Sequence, residues 1–320
     1  MYKKYLTECL LITASNDINI INDWLFWHID ICKFEHIVLI DNSVTKNIKQ
    51  CIKPYSNIDY VSIDGNISQS DLYTKFVNQS NAYWVLPIDD DEILYIPDEY
   101  NNNINNFIVN NVMTMKERYY KIGFSWLMMF SNGLLQKSGN SFLEDYNYYA
   151  ILDCINGEDF FCQKTMVNTL IKHLYFNNCI PKKVSLDIIN ANFLIDYIKK
   201  YQPVNAEFIG TVHNPISKYN DKYYHSYNVS CDLITIGYKT YKKPDINKPL
   251  LLHYKYQSIE SWLKKISRHR FNDTVSMYYI NYYKQNIIYD IYKQIKDDLH
   301  IFDNVKSIYQ YNKNLHIKTV

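Results

Sequence analysis

Four consecutive carboxylates, Asp89, Asp90, Asp91 and Glu92, follow directly on an apolar run over residues 83–88. Carboxylates this close repel one another and raise each other's pKa, a cost that a bound cation removes. Hard oxygen ligands at such density suit Mg2+ or Mn2+ rather than Zn2+. In an extended segment side chains alternate, so Asp89 and Asp91 are expected to point the same way and to share one ion that also holds a diphosphate. Such an ion neutralises the charge that develops on a departing phosphate group. The plainer reading is an acidic loop that caps the next helix. The string alone leaves the two readings level; the apolar strand in front of it favours the metal.

The elements that must position this cluster read as α/β. Residues 8–13 form an apolar strand run, followed by Ser15, Asn16 and Asp17, all good helix N-caps. Ile21, Trp24, Leu25, His28 and Ile31 then recur at helical spacing, which predicts an amphipathic helix to about Cys32. A second buried strand over 36–40 ends at Asp41-Asn42-Ser43, and a third covers 58–63. A helix over 70–81 presents Leu72, Phe76 and Val77 on one face, before the fourth strand over 83–88. This alternation predicts a mostly parallel sheet with helices on both faces. Ligands of such sheets bind beyond the carboxyl ends of the strands, where three polar clusters fall: Ser15 to Asp17, Asp41 to Ser43, and Asp89 to Glu92. Further on, the Asn-rich stretch 101–111 reads as a loop or short helix, 121–130 as a strand leading into a Ser131-Asn132-Gly133 turn, and 249–254 as a short strand. Helices are expected over 184–201, 258–270 and 278–299, and no internal repeat is present.

Composition bounds the classes. The 320 residues are 47% hydrophobic and 21% charged, which supports a globular core of one large or two ordinary domains. A net charge of +1 argues against a surface built for polyanions, so no nucleic-acid partner is expected. The seven cysteines are odd in number and form no CxxC pair, so free thiols are expected rather than a zinc site or disulfide framework. The apolar run 9–12 after Lys3 and Lys4 is too short for a signal peptide, and no stretch reaches the roughly 18 apolar residues of a spanning helix. A cytoplasmic protein without signal peptide or membrane anchor is the expectation. The 32 tyrosines, with heavy Asn, Ile and Lys, are the bias of AT-rich codons. Large DNA viruses and some protists fit that bias, and for a viral source the location would be the virion or host cytoplasm.

The segment Trp84-Val85-Leu86-Pro87-Ile88-Asp89-Asp90-Asp91-Glu92-Ile93 resembles the W-x-x-x-[IF]-D-x-D-E-F signature of glycosyltransferase family 92 and the related branch of family 2. Asn16-Asp17 with Asn22-Asp23-Trp24-Leu25 and His28 is similar to its NE…EW-L-x-x-H, and Ile40-Asp41-Asn42-Ser43 to its YDNxS. Gln69 and Tyr73 resemble its Q-x-x-x-Y, and Ser125-Trp126 with Phe130-Ser131-Asn132-Gly133 its W-x-x-F-G-S-x-G. His253-Tyr254, Ser258, Glu260, Trp262, Lys265 and Arg268 resemble its HY…S-x-E-E-F-x-x-K-x-x-R-G. These pieces run in order over residues 9–270. Asp17 stands for the family's Glu, Ile93 for Phe, Ser131 for Gly and His269 for the final Gly.

The resemblance implies a GT-A fold over 1–270, with a helical C-terminal extension over 271–320 packed on it. It implies that Thr13, Ala14 and Asp17 line a nucleoside pocket, with Asp41 near the base or ribose. Asp89 and Asp91 would hold Mn2+ or Mg2+ with His253 as third ligand, Asp90 would contribute to cofactor binding, and Lys265 and Arg268 would contact the diphosphate. The plain alternatives are strand-end packing for Thr13 and Ala14, a structural histidine, and a solvated helix face that includes Lys264 and Arg270. Members of this kind invert the anomeric centre, which needs a general base. Glu144, Asp145, Glu158 and Asp159 are the candidates; Glu144 fits the family position best, Asp159 is kept beside it, and Asp145 reads as a solvated loop carboxylate. The implied reaction carries a sugar from a nucleoside-diphosphate sugar, UDP-sugar favoured, to a hydroxyl of a glycan, glycoprotein or glycolipid. A nucleotidyltransferase is an alternative, but no Gly-Ser or basic triphosphate loop precedes Asp89. A non-catalytic sugar-binding module is another, and joint retention of Asp89, Asp91 and His253 argues against it.

Overall fold

The computed structural model describes residues 3–65, 67–114, 121–138, 141–151, 154–155, 158–159, 162–169, 174–175, 216–217, 225–229, 233–236, 243–258, 260–261 and 295–319. Strand β1 (Tyr5–Thr13) is the spine of the molecule, with seven consecutive buried residues from Thr7 onward. It pairs in parallel with β2 (His36–Asp41) and with β4 (Ala82–Ile88), and β2 pairs in parallel with β3 (Ile58–Ser62). The order β3-β2-β1-β4 is the doubly wound half that the alternation of elements predicts.

Alternation along β1 shows why both faces are covered. Cys9 and Leu11 join a core with helix α1 (Ile18–Phe26) and helix α3 (Ile104–Asn110). Leu10 and Ile12 face the opposite way, onto Leu72, Tyr73 and Val77 of helix α2 (Gln69–Gln79). A strand buried on both sides reads as a continuous apolar run, which is what residues 9–12 are. Helix α1 starts where the sequence predicts: Asp17 caps it, accepting from the backbone N–H of Asn19 and Ile20. It does not run on as one α-helix. Trp27–Ile31 is a π-helical turn, in which the N–H of Cys32 donates to the carbonyl of Trp27 at 2.8 Å. Trp27 Nε1, Cys32 Sγ and His28 Nε2 all bond the backbone of Leu94, so this wider turn is tied to the strand beyond the acidic cluster.

That strand is β5 (Glu92–Tyr95). The Asn-rich stretch resolves into the short helix α3, capped by Asn103. Strand β6 (Lys121–Phe130) has the expected bounds and ends in a tight turn with Asn132 at φ 48 and Gly133 at φ 79. Two successive positive φ values make this a type I′ turn, the reason for Asn-Gly here. Helix α4 (Phe142–Asp145), strand β7 (Tyr148–Ala150) and the short pair β8 (Cys154–Ile155) and β9 (Glu158–Asp159) follow. Strand β10 (Gln163–Asn168) enters the sheet antiparallel to both β4 and β6. A further pair, β11 (Leu174–Tyr175) with β12 (Ile216–Ser217), stands apart from the main sheet. Strand β13 (His225–Asn228) pairs with β6 and with β14 (Leu233–Ile236).

β6 serves two sheets. Its first half pairs with β10 and β13, and its second half with β7 and with β15 (Leu250–Tyr256). β15 lies between β5 and β6, antiparallel to one and parallel to the other. At the C-terminus, β16 (His300–Ile301) pairs with β7, and helix α5 (Asp303–Thr319) packs on the domain. There Tyr309 donates to buried Asp23 at 2.7 Å and meets Phe26 edge-on, and Phe302 likewise meets Tyr95 edge-on. A buried aromatic covers roughly 150–250 Å², so the Tyr309 contact stabilises by a few kcal/mol before ordering costs, on the order of 25 cal/mol per Å². The helix expected over 184–201 lies outside the described residues, as do 258–270 beyond Ser261 and 278–299 up to residue 294; the helix expected to reach 299 ends earlier, because the N–H of Asp298 turns back to the carbonyl of Ile295 at 2.8 Å. Among the described residues, no helix is long and apolar enough to cross a membrane.

Candidate active site

The parallel register gathers the three polar clusters on one edge. Thr13 stands opposite Asp41, Asp41 opposite Ser62, and Leu11 opposite Ile88. Asp89 to Glu92 therefore emerges beside Thr13, and Thr13 Oγ1 donates to Asp90 Oδ2 at 2.5 Å. Thr13 Oγ1 also accepts from the N–H of Ser15, with half-buried Ala14 between them. Asp41 is fully buried, accepting from Ser43 N at 2.7 Å and Tyr60 Oη at 2.6 Å. Asp17, beyond its capping role, pairs with Lys137 at 2.7 Å, tying the start of α1 to the segment after β6.

The acidic segment is a turn, not an extended strand. Glu92 N donates to the carbonyl of Asp89 at 3.2 Å, so strict alternation does not apply: Asp89 and Glu92 meet at Lys164 while Asp91 turns to His253. Asp89 Oδ1 accepts from Gln69 at 2.6 Å and from Tyr73 at 3.1 Å, and Trp24 Nε1 donates to its carbonyl at 3.2 Å. Asp89 Oδ2 pairs with Lys164 at 2.6 Å, and Lys164 reaches Glu92 Oε2 at the same distance. Glu92 also accepts from the N–H of Asp89. Burial alone would depress the Lys164 ammonium, but the carboxylates of Asp89 and Glu92 hold it above the ordinary lysine range. Burial pushes the Glu92 carboxyl up against the pull of Lys164, and Asp89 and Asp91 push it the same way.

Asp91 faces elsewhere. Its carbonyl accepts from Tyr254 N at 2.8 Å, and its Oδ2 stands 3.6 Å from His253 Nε2. β15 brings His253 there: it is registered against Glu92 of β5 and Met128 of β6, with a register shift between His253 and Tyr256. Such an irregularity re-aims side chains at a strand end. The His253 ring lies against Trp126, centroids 4.4 Å apart.

The expected metal trio therefore divides. Among the described residues, no group of three or more His, Cys, Asp or Glu is arranged to hold an ion. Asp91 and His253 fit as two protein ligands of one ion: neighbouring ligands on bonds near ~2.1 Å stand about 3 Å apart, a small adjustment from 3.6 Å. Glu144 sits on α4, two residues after Phe142, whose ring meets Tyr254 edge-on at 5.0 Å. Its Oε1 accepts from Gln310 of α5 at 2.8 Å. Asp159 is described only as backbone in β9, and Lys265 and Arg268 lie outside the described residues.

Gln69, Tyr73, Trp24 and His28, picked out by motif, converge on the turn or on the strand it leads into. Lys164 is the residue that sequence reasoning missed. Its one signal is a lysine inside the run Gln163-Lys164-Thr165-Met166-Val167, where an uncompensated charge could not be buried. Beside it, Gly123 makes room for Gln163, since a Cβ would fall 2.1 Å from Gln163 Oε1. That oxygen accepts from Asn228, which also bonds Ser125, forming a buried polar bridge across β10, β13 and β6.

Compared as a sequence, the chain matches no family model and no curated protein. Solved structures similar to it include Staphylococcus aureus TarS 1–349, at 12% identity and TM-score 0.33, covering 54% of this chain and 50% of that one. TarS 1–349 in complex with UDP gives the same values. 4-Diphosphocytidyl-2C-methyl-D-erythritol synthase from Anaerococcus prevotii is similar at 11% identity and TM-score 0.27, covering 40% of this chain and 56% of that one. The chain spans about half the length of these neighbours, and what they share with it is part of an α/β fold.

Proposed function

We propose that the chain is a GT-A glycosyltransferase of the family 92 kind, which transfers a sugar from a nucleoside-diphosphate sugar to an acceptor hydroxyl. The observation that carries this is the meeting of Asp91 and His253 at the carboxyl edge of the parallel strands, beside Thr13, Asp41 and Asp90. A carboxylate and a histidine far apart in sequence meet at the edge where such sheets bind nucleotides.

Asp91 and His253 would hold Mn2+ or Mg2+, which would offset negative charge on the leaving diphosphate. Asp89 keeps the turn in place through Lys164, Gln69 and Tyr73. Thr13, Ala14 and Asp17 border the nucleoside pocket, and Asp41 shapes it by fixing Ser43 and Tyr60. Lys265 and Arg268 extend the diphosphate contacts. Glu144 takes the proton of the acceptor hydroxyl while the acceptor oxygen bonds the anomeric carbon. The bond from that carbon to the diphosphate oxygen breaks, and its electron pair leaves with the nucleoside diphosphate. The configuration inverts. UDP-sugars are the favoured donors, and glycans, glycoproteins or glycolipids the acceptors.

A thermal-shift screen of sugar nucleotides with and without Mn2+ tests this reading, because a ligand that binds only the native state raises the melting temperature. A UDP-sugar is expected to do so only with the metal. No shift with any nucleoside diphosphate or its sugar would sink the proposal.

A further inference from the structure

We propose that Asn42, rather than Asp41, reads the base of the nucleotide: its side-chain amide pairs with the N3–H and O4 edge of uracil. This rests on the glycosyltransferase reading above and deepens it by assigning the residue that selects the nucleoside.

Asp41 is spent inside the fold. It is wholly buried, with Oδ1 accepting from Ser43 N at 2.7 Å and Oδ2 from Tyr60 Oη at 2.6 Å. Thr13 and Asp17, at the end of β1, are engaged with Asp90 and Lys137. Asn42 differs. Its N–H donates to the carbonyl of Thr13 at 2.8 Å, so the ladder between β1 and β2 continues one residue past Asp41. Side chains alternate along such a ladder, so Asn42 points away from the face on which Asp41 meets Tyr60. Ile40, two residues earlier, packs toward Leu72 and Tyr73 of α2, so Asn42 shares the face on which Gln69 and Tyr73 reach Asp89. Asn42 is half-buried, and among the described residues its side-chain amide meets no partner. Level with it on the β1 side stands Ala14, half-buried and small enough to leave room for a planar ring.

The backbone beneath Asn42 is held on both sides. Lys46 Nζ donates to the carbonyls of Asp41 at 3.0 Å and Ile63 at 2.5 Å, and Thr45 Oγ1 donates to Asn16 Oδ1 at 2.7 Å. A side chain carried on a fixed backbone recognises a ligand at little ordering cost. An amide sets an acceptor beside a donor, and the N3–H and O4 of uracil are the complementary pair. A carboxylate could accept the N3–H but has nothing to donate to O4.

The test is calorimetry of the full chain with UDP, N3-methyl-UDP and inorganic pyrophosphate, each with Mn2+. Methylation removes the N3 proton and blocks that edge of the base. Wild type is expected to bind the methylated nucleotide at least about tenfold more weakly than UDP. Asn42→Leu should weaken UDP by a similar factor, bind the two nucleotides alike and keep wild-type affinity for pyrophosphate. Should leucine disturb the fold, Asn42→Ala carries the same expectation, since the backbone N–H to Thr13 survives either change. A folded variant that still separates UDP from its methylated form overturns the proposal, and so does a wild type that binds both equally. A merely structural asparagine would lower stability and pyrophosphate affinity together while leaving that separation in place. A wild type that binds no nucleoside diphosphate at all defeats the glycosyltransferase reading itself, whereas UDP binding that ignores Asn42 defeats this proposal alone.

Discussion

His28 is built to stay neutral. Its Nε2 accepts the N–H of Leu94 at 3.3 Å, so the ring proton sits on Nδ1 and is given to the carbonyl of Trp24 at 2.8 Å. The ring is fully buried, and burial lowers its pKa from 6.5 to about 3, with the Trp24 carbonyl opposing. A proton on Nε2 would point at the donor of Leu94 and charge an apolar core. Below pH 6.5 the unfolded chain takes up a proton that the native chain refuses, so stability is full above the unfolded value and falls as pH falls. Each unit of difference is about 1.4 kcal/mol. Moving from pH 7 to pH 5 therefore withdraws about 2 kcal/mol, and descending to pH 3 about 4 kcal/mol, much of a typical domain's stability. Urea denaturation of wild type and His28→Gln across pH 7 to 5 isolates the effect, because other groups cancel in the difference. The glutamine loses about 1–3 kcal/mol at pH 7 through poorer hydrogen bonding. That disadvantage should shrink by about 2 kcal/mol at pH 5. Stability curves that stay parallel over this range would refute the reasoning.

Three further outcomes are expected. Asp91→Asn and His253→Ala should each weaken Mn2+-dependent UDP binding at least about tenfold while leaving the circular dichroism spectrum unchanged, as measured by calorimetry with and without chelator. Glu144→Gln removes a base without changing shape, so transfer should fall about 100-fold or more with donor affinity intact; near-normal turnover would move the base to Asp159 or Glu158. Tyr309→Phe leaves buried Asp23 without its 2.7 Å donor and should cost about 1–3 kcal/mol in chemical denaturation. A loss below a few tenths of a kcal/mol would mean that Asp23 finds other partners.

The parallel half was legible because buried strands announce themselves as unbroken apolar runs, and residues 9–12, 37–40 and 84–88 are such runs. Their polar ends then marked the edge at which the candidate site falls. The parting of Asp89 from Asp91 was not legible, since alternation holds in a strand and the hydrogen bond from Glu92 to Asp89 makes a turn. β10 escaped notice for a related reason: Gln163, Lys164 and Thr165 are polar and buried, paid for by Asn228, Asp89 and Glu92, which lie far away in sequence. A polar strand stabilised by distant partners has no local signature. The two-residue strands near 154–159 and the fifth helix likewise depend on tertiary pairing more than on pattern.

The placement of β15 has a consequence for how the molecule is made. β5 and β6 are not partners of each other; the strand that joins them arrives from residue 250 onward. On a ribosome, two unpaired edges must wait until more than three quarters of the chain has emerged, and such edges invite pairing with neighbouring chains. Non-local strand insertion is also slow. A chain stopped before β15 would hold the whole parallel half and Asp91, yet lack His253. Demand for a chaperone should therefore peak in the interval before β15 docks.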